Sequence, residues 1–459
     1  MLPRLFPTKK SDSILHPYRD GLVFGFYNAF TWQVVISTPM VLFIQWLGGS
    51  SSQVGTAYSF VFLLMALQIV STVFFPRFGY RRVMLSGWGT RTLFVALPIL
   101  LAWMAPANGG GGGWRVTAMV VCVFCFCLLR ALGQAAFAPW IMTLLTPEKC
   151  GRYFAADQYV AAVGGVFTLV VCTLLFWVMP TREALMSAYG FALIGSVAAV
   201  WYLRKMPDSE KPAPVSVRQL LRSMGEYVSQ PSLFREYVML SILFAGLMTP
   251  VPPFSAYYLK AVPHLTEGRI MVLEICRYGG AILAAGLMQT RLDRHGARPY
   301  LVASALAHVV VASYWGWALW HGQVQLWALC GVYLLLGGAS AACIAANLNY
   351  VAKITPAASR TLMVTLQAVG LALGGGVSAL AWGYLLKRTG PDGLPTMNVT
   401  AFGVMMGAVF VMAIVLAWKM ARLPESKDGP HDPLPLGSFI LRPFRAMPYV
   451  GQLLPPERK

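Results

Sequence analysis

Twelve apolar runs of about twenty residues or more punctuate this chain, and they leave it few possible folds. They fall at 21–45, 52–76, 83–104, 116–145, 153–179, 183–203, 237–259, 268–290, 299–319, 326–350, 361–386 and 400–420. A helix rises about 1.5 Å per residue, so about 20 residues cross the roughly 30 Å hydrocarbon core of a bilayer. Barrel strands would be shorter and would alternate in polarity at every second residue, which these runs do not. A helix also satisfies its own backbone, the one requirement hydrocarbon does not relax. The expected fold class is therefore an all-α polytopic membrane protein with twelve transmembrane helices. Composition agrees, with 57% hydrophobic and only 12% charged residues among 459. A soluble surface of that size would carry about twice the charge.

A formal net charge of +19 raises nucleic acid as a partner. The cations, however, stand in short groups between apolar runs, not along one face of a soluble domain. The positive-inside rule accounts for them. Of the 36 Lys and Arg, 27 fall on the side holding the N-terminus, the 77–82, 146–152, 204–236, 291–298 and 352–360 loops and the tail from Lys419. Six (Arg115, Arg182, Lys260, Arg269, Lys387, Arg388) fall on the other, and Arg91, Arg130 and Arg277 lie inside spans. This asymmetry predicts a multi-pass protein of the inner or plasma membrane, bathed in lipid, with both termini cytoplasmic. The polar first 20 residues lack a signal-peptide pattern, so the first run reads as an uncleaved span. Seven of eight cysteines sit inside apolar runs as small hydrophobes, including Cys122-x-x-Cys125, and no disulfide framework is indicated.

The spacing divides the chain into a cytoplasmic segment 1–20, a six-helix bundle 21–203, a linker 204–236, a second six-helix bundle 237–420 and a cytoplasmic tail 421–459. In the linker, Val217, Leu220, Leu221, Met224 and Val228 recur at helical spacing opposite Arg218, Arg222 and Glu226, predicting an amphipathic helix on the inner leaflet. Asn398-Val399-Thr400 has the form of a glycosylation sequon and reads as chance. The two bundles repeat each other. Thr38-Pro39 sits late in span 1 and Thr249-Pro250 late in span 7; Arg77-Phe78-Gly79 follows span 2 and Arg294-His295-Gly296 follows span 8. Thr146-Pro147 with Arg152 follows span 4, and Thr355-Pro356 with Arg360 follows span 10. Three landmarks at equivalent places predict two pseudo-symmetric halves.

These residues carry a resemblance. Leu292-Asp293-Arg294-His295-Gly296-Ala297-Arg298-Pro299 resembles the D-R-x-G-x-R-P part of the loop motif of the major facilitator superfamily. Pro76-Arg77-Phe78-Gly79-Tyr80-Arg81-Arg82 keeps its Arg and Gly but has Pro76 where the family has Asp. Trp140 through Pro147-Glu148-Lys149-Cys150-Gly151-Arg152-Tyr153-Phe154 looks like a signature of a bacterial branch of those transporters. The resemblance implies alternating access between two six-helix halves, with no cofactor. Two readings fit the motif residues Arg77, Gly79, Arg81, Asp293, Arg294, Gly296 and Arg298: a cytoplasmic gate, or an ordinary basic loop turned by its glycine.

Charges at lipid depth cost roughly 2.5–3.5 kcal/mol each on insertion scales, so they mark candidate sites. Glu274 and Arg277 stand three apart on one helix face and can pair, either exchanging a proton or bracing span 8. By resemblance, a span-8 acid and a span-4 cation occupy positions that proton-linked sugar carriers use. Arg130, with Gln134 one turn on, is the candidate for an anionic or hydroxyl-rich substrate group. Arg91 either joins it or snorkels to the cytoplasmic surface, and Asp157 suits an ion pair with Arg152. Asn28, Trp32, Gln33, Thr249, Asn347, Asn349 and Gln367 are further pocket candidates, and His308 fits core packing better than proton carriage. Pro39, Pro250, Pro252 and Pro253 are expected to break spans 1 and 7 as hinges.

No His-x-x-His, nucleotide loop or nucleophile–base pattern points to an enzyme, a catalytic residue or a metal site. Repeated filter residues of a channel are also missing. The function expected is secondary active transport of a small polar or anionic solute by a monomer, with proton coupling. A drug/proton antiporter and a non-transporting membrane sensor on the same fold are the alternatives.

Overall fold

The computed structural model describes residues 19–110, 113–145, 147–211, 231–288, 292–355, 360–389 and 395–424, with Arg222, Gly225, Glu226 and Ser229 of the linker. Twelve helices in it are long and apolar enough to cross a membrane. They are α1 (Arg19–Trp46), α2 (Ser51–Phe78), α3 (Tyr80–Met104), α4 (Gly113–Leu144), α5 (Ala156–Val178) and α6 (Thr181–Lys205). The second set is α7 (Leu233–Ala261), α8 (Glu267–Met288), α9 (Arg298–His321), α10 (Leu326–Val351), α11 (Met363–Leu385) and α12 (Val399–Ala421). A short antiparallel hairpin, β1 (Lys387–Thr389) with β2 (Pro395–Met397), joins α11 to α12. Asn398, the sequon residue, caps α12 by accepting a hydrogen bond from the Ala401 amide at 3.1 Å.

Prolines decide where the helices break. A proline has no N–H for the carbonyl four residues back, and its ring crowds that carbonyl. The first piece of α1 ends at Val35, four before Pro39, and the second begins at Thr38. The first piece of α7 ends at Met248, four before Pro252, and the second begins at Val251. Equivalent helices of the two halves are thus interrupted at equivalent places. In α4 the helix stops at Gln134 and resumes at Phe137, one residue from the carbonyl of Ala135 that Pro139 leaves unpaired. The sequence placed expected breaks in spans 1 and 7, and this third break was not among them.

The chain forms two compact units, Met1–Gly49 with Leu64–Leu220, and Ser50–Leu63 with Leu221–Lys459. The expected bundle 21–203 kept α2 whole. In the structure α2 changes from α-helix to a 3-10 turn at Leu64, and its first half groups with the second unit. Small residues permit this: Ser51 Oγ donates to the Gly383 carbonyl at 3.1 Å, and a Cβ on Gly55 would stand 2.7 Å from the Gly383 Cα.

The first unit packs around Phe24, Trp88, Phe137, Trp140, Tyr153 and Leu203, all buried. Glycines bring its helices close: a Cβ on Gly164 would meet the Phe26 carbonyl at 2.6 Å, and one on Gly195 would meet the Phe30 Cβ at 2.6 Å. In the second unit α8 and α10 approach through Gly280 and Gly337. A Cβ there would stand 1.8 Å from the Leu334 carbonyl oxygen and 1.7 Å from that of Arg277. Tyr258 and Trp315 close the opposite seam against Phe402 at 4.7 and 5.3 Å between ring centroids. In the linker Arg222 pairs with Glu226 at 3.2 Å, a helical spacing; the rest of the expected amphipathic helix lies outside the described residues. So do the segment 1–18 and the tail beyond Pro424.

Candidate functional site

Charge at lipid depth gathers in one cluster in each unit. In the first, Arg91 of α3 is fully buried, which corrects the snorkelling alternative. Its guanidinium lies 4.1 Å from the Trp88 ring and 4.9 Å from the Phe126 ring, and it donates to Asn28 Oδ1. Trp88 Nε1 donates to the same oxygen at 3.2 Å. Asn28 is therefore engaged in aiming Arg91. Arg130 of α4 is half-buried and close enough for its charge to act on Arg91. Arg91 Nε and Arg130 Nη1 are buried atoms with no hydrogen-bond partner among the described residues. Gln134 is half-buried at the end of the first piece of α4.

Trp32 is half-buried on α1, and Gln33 is buried with its amide donating to Ser37 Oγ at 3.3 Å, on the break before Pro39. Asp157 is also buried, its carboxylate against Gly25, where a Cβ would meet Oδ1 at 2.6 Å. The side chain of Arg152, its expected partner, lies outside the described residues.

In the second unit Glu274 of α8 is fully buried and Arg277 keeps 21% of its side chain exposed. Arg277 donates through Nε and Nη2 to one oxygen, Glu274 Oε2, each at 2.7 Å. The other oxygen, Oε1, has no partner among the described residues. Tyr58 of α2 and Tyr333 of α10 lie within the field of both charges. A carboxylate anchored by one oxygen and open at the other can take a proton without leaving its place.

A separate polar knot links α7, α10 and α11. Tyr237 donates to Asn347 Oδ1, as do Ser241 at 3.3 Å and Gln367 at 3.4 Å, and Asn347 Nδ2 reaches Cys343 Sγ at 3.3 Å. Two sequence candidates, Asn347 and Gln367, are thereby brought together and spent largely on each other and on Tyr237. Thr249 lies against Gly375, where a Cβ would come within 2.5 Å of its hydroxyl. Asn349 is half-buried. His308 is buried, its Nδ1 2.8 Å from the Ser304 carbonyl and its ring edge-on to Phe244. Among the described residues no group of His, Cys, Asp and Glu could hold a metal.

The fold has known relatives. The xylose transporter XylE from E. coli, in its inward open conformation, superposes with a TM-score of 0.67 at 13% identity, covering 90% of this chain and 97% of that one. The nucleoside transporter NupG superposes at 0.66 and 13%, covering 88% and 99%, and a D-xylose-proton symporter at 0.63 and 14%, covering 91% and 99%. No curated protein sequence matches the chain. Residues 238–454 match the family described as Major Facilitator Superfamily. That match spans the second half of the chain, and the likeness to the solved transporters extends the fold over nearly all of it. The matching family and these solved folds are those of membrane transporters and not of enzymes.

The loop segment that resembles the superfamily's motif turns in the same way in both halves. Gly79 and Gly296 both turn the chain with positive φ, +78° and +75°, which a side chain would oppose. The motif's second arginine then reaches the end of its own half's last helix. Arg81 donates to the Arg204 carbonyl at 2.6 Å, and Arg298 to the Leu423 carbonyl at 3.4 Å. Orphan carbonyls at a helix C-terminus welcome a cation. The Arg77 carbonyl accepts from Lys211 Nζ at 3.0 Å. The side chains of Asp293 and Arg294 lie outside the described residues.

The sequence pointed to Arg130 and left Arg91 open. A usable signal was present: Trp88 stands three residues before Arg91, a spacing that sets a ring beside a guanidinium on one helix face.

Proposed function

We propose that this protein moves a small polar or anionic solute across the membrane by alternating access, coupled to protons through Glu274 and Arg277. The observation that carries the reading is Glu274, fully buried, held by Arg277 through one carboxylate oxygen and open at the other. A buried carboxylate beside a guanidinium is costly unless its charge is used or balanced, and here protonation of Oε1 would release Arg277. Broken helices at matching points of the two halves support alternating access. One fold relative is named a D-xylose-proton symporter, which accords with proton coupling without choosing the solute. The cation asymmetry supports an inner or plasma membrane with both termini in the cytoplasm.

The test is reconstitution in liposomes holding an internal pH dye, with sugars, organic anions and drugs offered to wild type and Glu274→Gln. Solute-driven acidification in wild type that vanishes in Glu274→Gln, while solute exchange without a gradient survives, is the expected result. Equal acidification by both proteins overturns Glu274 as the coupling acid.

A further inference from the structure

The first unit holds one buried and one half-buried cation at lipid depth, and the groups that touch the buried one are neutral. Around Arg91 these are two aromatic rings and the Asn28 amide oxygen, and its neighbour in charge is another cation, Arg130. Neither arginine has a carboxylate within ion-pair distance among the described residues, where the pairs are Arg222–Glu226, Lys260–Glu267 and Arg277–Glu274. Like charges at short range inside protein repel strongly, because little water screens them. Buried charge normally comes with a counter-charge.

The two guanidiniums also carry unused donors. Arg91 Nε and Arg130 Nη1 are sealed from solvent and bond to no described residue. Asn28 and the flanking rings hold the Arg91 plane, so its free N–H is fixed in direction. Arginine's planar fork suits oxyanions, where a lysine would offer only a point charge.

We propose that Arg91 and Arg130 together seat a doubly charged oxyanion group, such as a phosphoryl or dicarboxylate group, with one N–H from each arginine bridged by its oxygens. A dianion neutralises both cations, whereas a single carboxylate or a sugar hydroxyl leaves charge buried. This deepens the transport reading, on which it rests, by naming the class of solute.

The test is binding, read without a proton gradient, so it stands or falls apart from the Glu274→Gln transport result. Purified protein in nanodiscs is unfolded thermally against rising sodium phosphate at pH 8 and, separately, sodium succinate, with sodium chloride at matched ionic strength as control. The expected result is a saturable rise in midpoint with at least one dianion and none with chloride. A response to phosphate alone assigns a phosphoryl group, and one to succinate alone a dicarboxylate. Arg130→Gln should abolish the rise while its ligand-free midpoint stays level or increases, because the repulsion is gone; a variant that simply fails to fold would melt lower. Arg91→Lys, which keeps the charge but removes the Nε donor, should weaken apparent affinity about tenfold or more. No dianion response beyond chloride, or an undiminished one in Arg130→Gln, overturns the proposal.

Discussion

Replacing Gly280 with alanine should force α8 and α10 apart, while the same change at adjacent Gly279 should not. A Cβ on Gly280 would stand 1.8 Å from the Leu334 carbonyl oxygen and 2.7 Å from its carbon, against the 3.0 Å below which real contacts essentially never fall. The obstacle is backbone, so no side chain can swing away. The crossing must open by about 1.2 Å, in an interior packed too densely to absorb it locally. The Gly337 contact with the Arg277 carbonyl lies on the same seam and is loosened with it. Overpacking of this kind costs about 1–3 kcal/mol. At about 2–4 °C per kcal/mol for a unit of this size, the midpoint should fall by roughly 2–12 °C. Gly279 has nothing within 4 Å of an added Cβ, so alanine there should gain up to about 1 kcal/mol of helix propensity. The assay is thermal unfolding of the purified variants at one scan rate, since membrane proteins often unfold irreversibly. Because the seam carries the turn that bears Glu274 and Arg277, Gly280→Ala should also slow transport. Equal midpoints, or greater damage from Gly279→Ala, would refute the close crossing.

Two further changes test the polar contacts. Asn347→Ala strands three donors, those of Tyr237, Ser241 and Gln367; a stranded buried donor costs about 1–3 kcal/mol in general, although side-chain bonds within membranes average nearer 0.6. The midpoint should drop by several degrees, and no drop would show that the knot braces nothing. Glu267→Gln breaks the 2.6 Å pair with Lys260, whose side chain is 34% exposed, so a loss of at most about 1 kcal/mol is expected. That loss should shrink as salt is raised, and a salt-independent loss would mean that the carboxylate acts through something other than this pair.

The twelve spans were legible because the bilayer imposes a length scale that single residues do not blur. The sequence run 21–45 became Arg19–Trp46, and 400–420 became Val399–Ala421. Breaks in α1 and α7 were legible for a related reason, since a proline acts on a carbonyl at a fixed distance behind it. The α4 break carried the same mark at Pro139, hidden in an unbroken apolar stretch. What hydropathy could not supply is which helix touches which. The placing of Ser50–Leu63 with the second unit depends on backbone approach at Gly55 and Gly383, more than three hundred residues apart in the chain. Arg91 was ambiguous for that reason too. Its distance along the span suggested an escape to the cytoplasmic surface, but Asn28 and Phe126 come from other helices and hold it inside.

The two halves repeat in scaffold and diverge in charge, and the divergence carries the functional argument. The clamp from the loop arginine to the last helix recurs as Arg81 with Arg204 and Arg298 with Leu423, the turn as Gly79 and Gly296, and the helix break as Val35 and Met248. Those features serve each half's own cohesion. Arg91 with Arg130 and Glu274 with Arg277 have no such counterparts. One unit holds excess positive charge in its interior and the other an acid already compensated by its own arginine. A bound dianion would neutralise the first, while a proton on Glu274 would leave Arg277 uncompensated. On this reading solute binding and proton binding work on buried charges of opposite sign in separate units. Mutating one cluster should therefore change its own ligand's affinity first, and the other's only through the conformational equilibrium they share.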